Sequence, residues 1–108
     1  MKSSIVDIQD LTGSGRAVLL VDTTKSLTKK KLTSLELVSD LITVKAVKDV
    51  DEAVEAVKTF ITTGDGQGGV VVYGVDSSAF YAKLEPSTTA QLASKDVYLR
   101  AYAKSDDL

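Results

Sequence analysis

Neither cysteine nor histidine occurs anywhere in this chain of 108 residues. Those two absences together exclude disulfides, thiolate zinc sites, cysteine nucleophiles, imidazole-activated serine nucleophiles and imidazole acid–base chemistry. A surplus of positive charge is also missing. Thirteen Lys and Arg against fifteen Asp and Glu give a net charge of −2, whereas nucleic-acid-binding proteins show a clear basic excess. The one basic cluster, Lys29-Lys30-Lys31, contains no aromatic residue and reads as a solvated loop. No apolar stretch approaches the ~20 residues needed to cross a bilayer. The first ten residues, MKSSIVDIQD, turn acidic too early for a signal peptide. These absences predict a protein with no nucleic-acid partner, no membrane partner, no metal and no cofactor, placed by default in the cytoplasm.

What is present is ordinary for a globular domain: 44% hydrophobic and 26% charged residues. A single domain of this length buries roughly two-thirds of its unfolded surface. Residues 1–12 read as an extended arm, with Ile5, Val6 and Ile8 apolar in the segment SSIVDIQD and glycines 13 and 15 behind them. Residues 13–108 read as the core. RAVLLVD (16–22) and GVVVYGV (69–75) are continuous apolar runs, which suit strands buried on both faces of a parallel sheet. TSLELVSDLI (33–42) opens with Thr33 three residues before Glu36, a capping box, and predicts a short helix. TVKAV (43–47) alternates like an edge strand.

The strongest periodicity lies in 49–64. Val50, Ala53, Val54, Val57, Phe60 and Ile61 fall on one helical stripe, with Asp49 or Asp51 as cap and Gly64 at C′. Residues 77–84 and 86–94 predict one interrupted helical crossover, and DVYLRAYAK (96–104) a last strand with alternating faces. The result is an α/β fold: a small, three- to four-stranded, mainly parallel sheet in βαβαβ order with helices packed on it.

The glycine-rich segment TTGDGQGG (62–69) invites a phosphate-cradle reading. A cradle runs strand, glycine loop, helix, so that helix N-terminal N–H groups face the anion. Here the order is helix, loop, strand, so the helix presents its negative end, and no Lys-Ser or Lys-Thr follows the glycines. The segment predicts a turn. GSG (13–15) fails likewise because a strand follows it.

Asp22 and Asp76 each end a predicted central strand, where open parallel sheets bind ligands. Two carboxylates there would suit Mg²⁺, as in a receiver domain; the alternative is a pair of strand-terminating turn residues. The chain lacks a receiver's adjacent acidic pair after the first strand and its late lysine. Tyr98, Arg100 and Tyr102 would share one face of the last strand, a stripe able to meet a partner protein or a base, or simply a covered face.

Taken in order, these segments resemble the contractile-tail sheath proteins of bacteriophages, of which this would be a domain-sized or truncated relative. The pieces are IVDI (5–8), GSGRAVLLV (13–21), LTSLELVSDL (32–41), EAVEAVKTFITTG (52–64), GGVVVYGVD (68–76) and LASKDVYLRAYAKSDD (92–107). The resemblance implies a non-enzymatic virion subunit that self-associates around a tail tube, with a tail-tube protein as partner. It also implies exchange of extended arms between neighbours, so Ile5, Val6, Ile8, Tyr98, Arg100 and Tyr102 are the candidate assembly interface. Two alternatives stand beside it: a small regulatory or stalk subunit of a rotary ATPase, and a receiver-like binding module.

Overall fold

The computed structural model describes residues 3–25, 27–37, 39–63 and 68–103. The two continuous apolar runs form the centre of the sheet, as their lack of alternation predicts. β1 (Val18–Asp22) and β3 (Gly69–Tyr73) lie side by side, flanked by β2 (Ile42–Ala46) and β4 (Tyr98–Tyr102), in the order β2-β1-β3-β4. All three pairings are parallel, with Leu20 level with Val44 on one side and Val71 on the other. Every residue of β3 is buried, whereas none of β2 is, which fits a central strand and an edge strand.

Two apolar layers sandwich the sheet. On one face α3 (Val50–Thr63), α4 (Ser77–Ala82) and α5 (Pro86–Ser94) cover Val21, Val70 and Val72 with Val54, Val57, Ile61, Phe80 and Leu92. The expected stripe of α3 holds, with one adjustment. Phe60 is only half-buried, because its ring lies over the entry to β3 rather than in the core. A Cβ on Gly68 would sit 2.7 Å from that ring and 2.6 Å from the Ala17 carbonyl oxygen. Gly68 is therefore required by close approach. Asp49 caps α3, accepting from Glu52 N–H at 3.0 Å, while the Glu52 carboxylate accepts from Lys48 N–H. The expected C′ residue Gly64 lies outside the described residues.

The opposite face corrects two expectations. Residues read as an extended arm form a helix, α1 (Ser3–Gly13). Ile8 and Leu11 are buried in it against Val18, Leu20, Val71 and Tyr73, with Ile5 packed beside them. The physical reason is a three-residue apolar spacing, Ile5–Ile8–Leu11, closed by a left-handed glycine. Gly15 (φ 78°) takes the C′ position: its N–H donates to Thr12 O at 3.0 Å, and Arg16 N–H donates to Leu11 O at 2.9 Å. Those are the two bonds of a Schellman ending.

The helix expected at 33–42 starts earlier, as α2 (Lys29–Ser34). Thr28 is its cap, accepting from Lys31 N–H, so the three lysines form a helical turn and not a loop. Glu36, expected inside the helix, is its left-handed C′ residue (φ 58°), with Leu37 N–H donating to Leu32 O. α5 ends the same way, with Asp96 (φ 54°) at C′ and Val97 N–H donating to Leu92 O. In both endings the apolar residue beyond the turn is buried together with its partner, Leu37 with Leu32 and Val97 with Leu92.

Candidate functional site

In an open parallel sheet a ligand crevice forms where the chain reverses its direction across the strand order. Here that point lies at the carboxyl ends of β1 and β3, since β1 leads outward to β2 and the chain then crosses back to β3. The crevice is filled by the protein itself. Thr23 donates both its N–H (3.1 Å) and its hydroxyl (3.0 Å) to Tyr73 O. Gly74 (φ 89°) lies so close that a Cβ there would be 2.0 Å from Thr23 Oγ1.

Asp22 is 1% exposed and its carboxylate shapes the turn after β1. One oxygen accepts from Thr24 N–H (2.9 Å) and the Thr24 hydroxyl (2.6 Å), and the other from Leu27 N–H (2.9 Å). Asp76 caps α4 by accepting from Ala79 N–H at 3.0 Å. The pair expected as a possible Mg²⁺ site thus works as two turn-forming carboxylates. Among the described residues, no group of three acidic, His or Cys side chains is placed to hold a metal.

The remaining candidates converge at the outer edge of the sheet. An open groove of about 440 Å³ runs along β4, lined by Asp7 of α1, Ser77 and Tyr81 of α4, and Arg100, Ala101 and Tyr102. The two halves of the expected interface, at opposite ends of the sequence, therefore meet. They meet in a different way from that expected, because Ile8 is fully buried, Ile5 half-buried and only Val6 exposed, at 36%. The sequence reading missed Asp7, whose carboxylate accepts the Tyr98 hydroxyl and ties α1 to β4. No sequence pattern marks a pair 91 residues apart. Tyr102 stacks on Tyr73 with ring centroids 5.8 Å apart, and the exposed Arg100 guanidinium lies 5.8 Å from the Tyr98 ring centre. Tyr81 reaches around the edge from the other face and donates its hydroxyl to Leu99 O at 3.2 Å.

Burial, and then the bond to the Asp7 carboxylate, push the Tyr98 phenol above the ordinary tyrosine value. A phenol whose pKa is raised by folding holds its proton longer in the folded chain than in the unfolded one. Its contribution to stability is intact below the ordinary value of about 10 and falls as pH rises beyond it. In a phenolate titration followed by ultraviolet absorbance, Tyr98→Phe should remove a late-titrating component, and Asp7→Asn should move that component to lower pH. Loss of a component titrating near the ordinary value would contradict the part-buried Tyr98–Asp7 bond.

No helix among the described residues is long and apolar enough to cross a membrane. Comparison with protein-family models, curated proteins and solved structures finds no match to this chain.

Proposed function

We propose that this chain is a structural assembly subunit, of the kind implied by its resemblance to contractile-tail sheath proteins, which polymerises around a tail tube in a virion. The observation that carries the reading is an all-parallel sheet whose two outer strands, β2 and β4, pair on one side only among the described residues. An uncovered strand edge is a row of backbone donors and acceptors that another chain can complete. The filled crevice at the β1–β3 reversal, with Asp22 and Asp76 committed to turns, favours this reading over a receiver-like module. No observation favours a rotary-ATPase stalk subunit.

The assembly route differs from arm exchange. Donating residues 3–10 to a neighbour would withdraw Ile8 from a site where it has no solvent exposure, whereas pairing along a sheet edge withdraws no core side chain. Light scattering across concentration and salt tests the reading. The weight-average mass should rise above the 11.5 kDa of one chain as concentration increases. A mass fixed at one chain into the millimolar range, at low and high salt and with a tail-tube protein present, would overturn it.

A further inference from the structure

In a parallel ladder, alternate residues turn both backbone groups to the same side. On β4 the residues bonded to β3 include Tyr98, whose N–H donates to Gly68 O, and Tyr102, whose carbonyl accepts from Gly74 N–H. Arg100 shares their phase, so Leu99 and Ala101 aim their N–H and C=O groups outward. The Leu99 carbonyl is taken by the Tyr81 hydroxyl. Ala101 lines the open groove, and no described residue bonds to its outward groups.

Edge strands that avoid pairing carry lysines, prolines or bulges. β2 places an exposed Lys45 on its strand, whereas β4 has none of these devices and its one charge is Arg100 between two tyrosines. We propose that β4 is the docking edge for a second copy of this chain, pairing antiparallel with the partner's β4 about a two-fold axis at Ala101. The proposal rests on the assembly reading and names its first contact.

Two-fold axes at the three central residues of this strand give three registers, and its side chains separate them. An axis at Arg100 sets two guanidinium groups directly opposite each other, a destabilising like-charge pair. An axis at Leu99 sets the carbonyl that Tyr81 occupies at the centre of the pairing, with the Tyr81 side chain in the partner strand's path. An axis at Ala101 moves that carbonyl to the end of the ladder, opposite the partner's Ala103, where its second lone pair can accept, and brings Arg100 opposite the partner's Tyr102, where a cation meets an aromatic face. It also joins the two four-stranded sheets into one, with a β2 edge at each end for further growth.

Proline at position 101 deletes an outward N–H that β3 does not use, so the Ala101→Pro variant keeps its internal ladder. Sedimentation velocity should show its association weakened at least tenfold, with Val44→Pro, the matching outward position on β2, leaving the first dimer intact. The chain has no native cysteine, so Ala101→Cys offers an independent readout. Bonded antiparallel residues lie about 5.5 Å apart at Cα, within disulfide reach. Mild oxidation should cross-link Ala101→Cys into dimers and leave Leu99→Cys uncross-linked. Loss of association in both proline variants would point to a head-to-tail β4–β2 contact and overturn the two-fold arrangement. Association unaffected by Ala101→Pro, with no cross-link at 101, would overturn the β4 edge while leaving self-assembly standing. A wild-type chain that never associates would remove the assembly reading itself.

Discussion

Ile8→Ala will lower the unfolding free energy by about 2–5 kcal/mol, while Val6→Ala, two residues away, will change it by less than about 0.5 kcal/mol. The contrast follows from one helical turn. Ile8 has no exposed surface and packs with Leu11 on Val18, Leu20 and Val71, whereas Val6 points outward at 36% exposure. Removing three carbons from Ile8 loses their transfer free energy and leaves a cavity that strands β1 and β3 cannot collapse to fill. Chemical denaturation of the two variants measures this directly. Equal, near-zero effects would mean that residues 3–13 are not docked, and would restore an extended arm free to pair with a neighbour.

The second large effect is expected at Gly74, where alanine should cost about 3 kcal/mol or more. Two terms add. A left-handed backbone costs an L-residue roughly 1–2 kcal/mol, and φ is 89° here. The new Cβ would also fall 2.0 Å from Thr23 Oγ1 and 2.7 Å from Thr24 Cγ2, displacing a side chain that donates to Tyr73 O. Each such hydrogen bond is worth about 0.5–1.5 kcal/mol net. Gly13→Ala is the control, since nothing lies within 4 Å of a Cβ built there. A thermal midpoint for Gly74→Ala equal to that of Gly13→Ala would mean that the β1–β3 crevice is not closed by this contact.

The parts of the fold legible from sequence were those in which one local pattern has one physical meaning. Unbroken apolar runs at 18–21 and 70–72 suit strands covered on both faces, and they are β1 and β3. The stripe through Val54, Val57 and Ile61 could only be a helix laid on that sheet, and it is α3. The misreadings came where two patterns competed. Ile5, Val6 and Ile8 suggest a short strand until Leu11 and the left-handed Gly15 are counted with them, which makes Ile5–Ile8–Leu11 one face of α1. Around α2, Thr33 and Glu36 have the spacing of a capping box, while three lysines directly after Thr28 mask the helix start there. Thr28 caps the helix, whereas Thr33 lies inside it and donates its hydroxyl to Lys29 O at 2.8 Å; burial of Leu32 and Leu37 fixes that choice.

Of the residues lining the groove, the sequence singled out Arg100 and Tyr102 but not Asp7, Ser77 or Tyr81. The alternation of β4 put Tyr98, Arg100 and Tyr102 on one face. What no periodicity reveals is that α1 lies beside them through Asp7, or that Thr23 closes on Tyr73 fifty positions away.

The central claim, that assembly runs through the outer edge of β4 and leaves α1 in place, is tested most directly by amide hydrogen exchange on dilute and concentrated protein. The outward amides of Leu99 and Ala101 should exchange freely when dilute and gain protection on concentration. The amides of α1 beyond its first turn, including those of Leu11 and Thr12, should be protected equally in both states. Loss of protection along α1 on concentration, with Leu99 and Ala101 still exchanging freely, would contradict the account and return the N-terminal segment to the role of an exchanged arm.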